Sequence, residues 1–168
     1  MARPRSVPDQ LIFEAVHALT RLGGAKAVTF GAVAEKVGLA ASTLVQRYGS
    51  VDGMTRGAQA AAWTRMEHAT AAAVADAPMT PKGAAALLKA LATVPMPAIP
   101  GSADDALVAR ALAWRTQVEA SLAVRLGGGV EGREGAAILF AAWQGQMLWL
   151  GRGAKGFRLR DAARRLGG

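Results

Sequence analysis

Between Thr29 and Ser50 the chain reads TFGAVAEKVGLAASTLVQRYGS, and Gly38 near its middle decides what this stretch can become. Phe30, Val33, Ala34 and Val37 recur at helical spacing, which predicts one apolar face. Thr29 stands just ahead of them, where its hydroxyl can accept a backbone N–H of the first turn. Gly38 must end that helix, because glycine enters the left-handed conformation without steric cost. Apolar Leu39 follows as a wedge, and a second short helix over 41–48 can begin at once. Helix, tight glycine turn, helix is the pattern whose second helix can lie in the major groove of DNA.

The residues of the second helix fit that use. Leu44 and Tyr48 are four apart, so they share a face that can pack on the preceding helix. Ser42, Thr43, Gln46 and Arg47 form the polar set, with hydroxyl, amide and guanidinium groups suited to base edges and phosphates. Thr29 and Ala41, at the first turns of the two helices, complete the candidate DNA face, together with Arg3 and Arg5 of a basic N-terminal arm. Helix pairs of this kind also occur without any role on DNA.

The run VTFGAVAEKVGL followed by STLVQRYGS resembles the TetR family of bacterial transcriptional regulators. An Ala/Leu-rich first helix (LIFEAVHALTRLG) precedes it, and VDGM opens a long helix after it. The resemblance covers residues 10 to 57; beyond them the chain matches only in being helical and Ala-rich. It implies an all-α fold, with a three-helix DNA-binding head over residues 1–50 and a helical ligand-binding and dimerisation domain over 51–168. It also implies a homodimer on double-stranded DNA with a palindromic operator. Three positions depart from the family pattern: Ala40 stands where Ser is frequent, Val45 where a phosphate-contacting Tyr is frequent, and Val51 where Lys is usual. Three phosphate contacts are then missing, which implies weaker binding and a flatter salt dependence.

Composition agrees with an all-helical chain able to bury a core. Of its 168 residues 52% are hydrophobic, much of this alanine, and no β-branched run alternates strictly. The net charge of +8 is uneven. Residues 1–50 carry six basic and three acidic side chains, 51–151 eight of each, and 152–168 six basic and one acidic. A neutral middle suits a ligand and dimer domain, and basic ends suit a polyanion. Without cysteine there is no disulfide, thiol chemistry or Cys-based metal site, and no cofactor or metal is expected. The N-terminus is too polar for a signal peptide, and the apolar run 136–150 is too short to span a bilayer. A soluble cytoplasmic protein with no membrane partner is the expectation.

Along the rest of the chain, Ser6 with Asp9 reads as a capping box opening a first helix, whose Leu11, Ile12, Ala15, Leu19 and Leu22 make an apolar stripe. His17 within it reads as a packed or solvated side chain. A fourth helix is expected over 51–76, with Trp63, Met66 and Thr70 on one side. Pro78 and Pro81 break the chain before a short helix over 82–93, and VPMPAIPG at 94–101 cannot be helical. Ser102 with Asp105 reads as a capping box for a helix to 126, carrying Leu107, Ala111, Trp114, Val118 and Leu122; Gly127, Gly128 and Gly129 end it. The helix expected over 131–150 is apolar nearly all round, so it must be buried on several sides. It and helix 103–126 are expected to pair with their copies in a four-helix dimer interface. GRGAKG at 151–156 fits G-x-G-x-x-G but follows a helix rather than a strand, so it carries no nucleotide signal. The tail, with Arg158, Arg160, Arg164 and Arg165, reads as a short amphipathic helix or a frayed end.

These features favour a DNA-binding regulator, a repressor released by a small molecule. Trp63, Met66, Leu88, Trp114, Phe140, Trp143, Gln144 and Met147 are the pocket candidates, and their character implies an apolar or aromatic ligand. The alternative is a helical binding module with a degenerate head, acting through its basic tail on an acidic partner. An enzyme is not expected: there is no G-x-S-x-G, Walker or H-E-x-x-H motif, and the two histidines are far apart in sequence.

Overall fold

The computed structural model describes residues 7–98, 104–149 and 158–167. Among these there are eight α-helices and no strand: α1 Asp9–Gly23, α2 Phe30–Val37, α3 Ala41–Tyr48, α4 Val51–Asp76, α5 Pro81–Leu91, α6 Asp105–Arg125, α7 Gly129–Trp149 and α8 Leu159–Leu166. A single 3-10 turn, Ala25–Ala27, follows α1. The chain forms two compact units, one ending at Ala62 and the other beginning at Trp63.

In the first unit, Ile12, Val16, Val33, Leu44, Met54 and Ala58 are central to a core that joins α1, α2, α3 and the start of α4. Thr29 caps α2 by accepting the Ala32 N–H at 3.1 Å. Gly38 has φ +70°, and the Leu39 N–H reaches back to the Ala34 carbonyl at 3.0 Å, closing the helix end in the way a left-handed glycine allows. Ser50 caps α4 by accepting the Gly53 N–H at 3.0 Å. His17 Nε2 lies 3.2 Å from the Ala58 carbonyl, tying α1 to α4.

In the second unit, α6 and α7 form an antiparallel pair, and α5 and α8 pack together beside α7. Thr80 caps α5 through the Gly83 N–H, with Pro81 in the first turn where its missing donor costs nothing. Gly83 is enforced by space, since a Cβ there would sit 1.7 Å from the Pro78 carbonyl oxygen. Two arginines join α6 to α4. Arg110 grips Glu67 with two bonds of 2.5 and 2.6 Å, and this hydrogen bonding holds the Glu67 carboxyl below its ordinary value. Arg125 is buried and donates to the Val74 and Ala77 carbonyls at 2.7 and 2.9 Å, meeting the negative end of the α4 dipole. Burial depresses the pKa of this guanidinium.

Several sequence expectations are corrected here. Helix α1 starts at Asp9 behind Pro8, with no side-chain cap, and Ser6 lies outside the described residues. Leu11 and Leu22 are exposed; the stripe that is buried runs through Ile12, Ala15 and Val16. Helix α5 ends at Leu91 instead of Thr93. Asp104 caps α6 by accepting the Leu107 N–H, replacing the expected Ser102–Asp105 box; Ser102 is not among the described residues. Gly129 opens α7 instead of ending the linker. Helix α7 buries Gly132, Gly135, Ala136, Leu139, Phe140 and Trp143, while Ile138, Leu148 and Trp149 are exposed. The described tail is the packed helix α8, not a frayed end; GRGAKG lies outside the described residues.

Candidate nucleic-acid interface and aromatic core

Helix α3 is anchored by Leu44 and Tyr48 and presents its other side chains. Leu44 is fully buried, and Tyr48 is half-buried with its ring 5.9 Å from that of Phe13. Ala41, Ser42, Thr43 and Gln46 are exposed, as is Val45. Thr29 is exposed at the start of α2; its oxygen accepts the Ala32 N–H, which leaves its O–H able to donate outward. Arg3 and Arg5 lie outside the described residues.

Arg47 is placed differently from its neighbours. Its guanidinium donates to the Val7 carbonyl at 2.8 Å, lies 3.0 Å from an Asp9 carboxylate oxygen and sits 5.8 Å from the Tyr48 ring centre. Tyr48 donates its hydroxyl to the same Asp9 oxygen. Burial, then the hydrogen bond to Asp9 and its charge, raise the Tyr48 pKa, with Arg47 opposing. Asp9 therefore joins the two ends of the head. Sequence reasoning missed it, because the contact spans 39 residues and no helical period connects such positions.

In the second unit the candidate pocket residues meet as a chain of rings. Trp63 from α4 packs edge-on against Trp114 from α6 at 5.6 Å. Trp114 packs against Phe140 from α7 at 5.8 Å, and Phe140 against Trp143 at 5.7 Å. Met66 and Leu88 are also buried in this unit, while Gln144 and Met147 are half-buried. Trp114 Nε1 donates to the Thr70 hydroxyl at 2.8 Å, and Thr70 donates onward to the Met66 carbonyl at 2.7 Å. The indole N–H groups of Trp63 and Trp143 are buried and have no hydrogen-bond partner among the described residues. Such an orphan donor costs about 1–3 kcal/mol. No group of three His, Asp or Glu side chains among the described residues could hold a metal ion.

The described residues form a helix-turn-helix unit followed by a helical unit. One solved structure with that fold is the TetR family transcriptional regulator PfmR from Thermus thermophilus. The likeness covers 93% of this chain and 94% of that one, with a TM-score of 0.63 and 17% sequence identity. At that identity the likeness is one of fold. No protein-family model and no curated protein matches the sequence. No helix among the described residues is long and apolar enough to cross a membrane.

Proposed function

We propose that this chain is a DNA-binding transcriptional regulator, a bacterial cytoplasmic repressor that binds a palindromic operator as a homodimer. The observation that carries the reading is α3: Leu44 roots it in the core while Ser42, Thr43 and Gln46 face outward from one short helix. Gln can make a two-bond contact to adenine, and Ser and Thr can serve either base edges or phosphates. The O–H of Thr29 adds a phosphate contact at the start of α2. We assign DNA reading to residues 1–50 and sensing and dimerisation to 51–168.

The ring cluster of the second unit is the proposed sensing site. An apolar or aromatic ligand with hydrogen-bond acceptors would satisfy the Trp63 and Trp143 indole donors. Release then follows as a population shift: the ligand must bind better to the conformation whose two heads are misplaced for successive major grooves. Catalysis has no part in this reading.

Selection of bound duplexes from a random DNA pool tests it. A palindromic consensus with half-sites about one helical turn apart is expected. Recovery of no consensus at low salt would overturn the proposal.

A further inference from the structure

A second site lies in the helical unit, away from the ring cluster, where the start of α5 faces α8. Thr80, Pro81 and Lys82 form one wall, and Arg160, Asp161 and Arg164 the other, of an open cavity of about 510 Å³. That volume is of the size that holds small molecules. The walls are fixed by packing rather than by the charged side chains. Ala163 is buried, and a Cβ on Gly167 would come within 2.7 Å of the Pro81 ring.

Three cations face this cavity with one carboxylate among them. Arg160 and Arg164 approach Asp161 only at 4.0 and 3.9 Å, too far for hydrogen bonds, and their side chains are 67% and 75% exposed. Arg47, Arg110, Arg115 and Arg125 behave differently, each donating to acceptors within 3.0 Å. The guanidinium donors of Arg160 and Arg164 therefore have no comparable acceptor among the described residues.

We propose that this cavity binds a phosphate group, either the free ion or a small phosphate monoester. Arg160 and Arg164 present planar donor forks suited to phosphate oxygens, and Lys82 adds a point charge from the opposite wall. The Thr80 oxygen already accepts the Gly83 N–H, which leaves its O–H to donate. Asp161 offsets one of the three positive charges, so the cavity matches an anion of charge two. A phosphate monoester is mostly in that form above its second pKa of about 6, and the free ion is so at a somewhat higher pH. The site is independent of DNA binding by α3.

Calorimetric titration of the full chain without DNA, at pH 8 and constant ionic strength, tests this with inorganic phosphate and with glycerol phosphate. Saturable binding of one ion per chain is expected. The double variant Arg160→Gln/Arg164→Gln weakens it by about tenfold or more, and Lys82→Glu weakens it as well. Arg158→Gln/Arg165→Gln removes the same charge from the N-cap and last turn of the same helix, outside the cavity lining, and changes it by less than about twofold. Tighter binding of the monoester identifies an esterified ligand, and tighter binding of inorganic phosphate identifies the free ion. Absence of saturable binding up to about ten millimolar, or equal loss in both double variants, would overturn the proposal.

Discussion

Leu44 and Gln46 are two positions apart on α3 and face opposite ways, so substitution separates folding from recognition. Leu44→Ala should lower stability by about 2–5 kcal/mol, measured by denaturant unfolding, because the core cannot fully close over the lost volume. Gln46→Ala should leave stability within about 0.5 kcal/mol while weakening operator binding by about 1–3 kcal/mol. Tyr48 offers a further residue-scale test, because it is the one tyrosine in the chain. Its raised pKa means the fold favours the neutral phenol. That contribution is fully present below the ordinary value of 10.0 and is lost as pH rises past the folded value. Ultraviolet titration should show the phenolate appearing well above pH 10.0 in the folded chain, and at lower pH in Asp9→Asn. Titration of native protein at the ordinary value would remove the Asp9–Tyr48 contact from the account.

At the scale of elements, short-range chemistry sets the ends of helices and long-range packing sets their surroundings. Thr29 and Gly38 bracket α2, and α3 runs over 41–48 as the spacing predicts, because capping hydroxyls and left-handed glycines act within one turn. The pairing of Asp9 with Arg47 and Tyr48 was not legible, since it joins two helices through positions about 39 residues apart. Nor was the packing of α8, because that depends on small residues elsewhere: a Cβ at Gly135 would sit 3.2 Å from the Leu166 carbonyl oxygen. The indole and ring residues of the candidate pocket were legible as apolar positions, but their edge-on order across α4, α6 and α7 was not. Gly83 and Arg125 test the joints between elements. Gly83→Ala forces the α5 start away from Pro78, and a loss of about 1–3 kcal/mol is expected on unfolding. Arg125→Met leaves the Val74 and Ala77 carbonyls without their cationic donor, and a similar loss is expected. Unchanged melting in both variants would contradict these roles.

For the whole molecule, two copies are required if two heads are to meet successive grooves. Ile138, Leu148 and Trp149 are exposed on α7, and residues 135–149 carry no charged side chain. Leu112 and Val124 are exposed on α6. We propose that a second copy covers these residues. Ile138→Glu/Trp149→Glu should convert a dimer to a monomer in sedimentation, because a charge buried without a partner opposes association. A wild-type chain that sediments as a monomer at micromolar concentration would exclude paired heads.

The central claim is that the outward face of α3 reads DNA. Its most direct test is fluorescence anisotropy of the full chain on duplexes flanking its own gene, across a salt series, with wild type beside Ser42→Ala/Gln46→Ala. The account predicts wild-type binding that weakens as salt rises, and a double variant that keeps its fold and salt slope but loses preference for the specific duplex by about tenfold or more. Equal affinity of wild type and variant for specific and scrambled duplexes would contradict it.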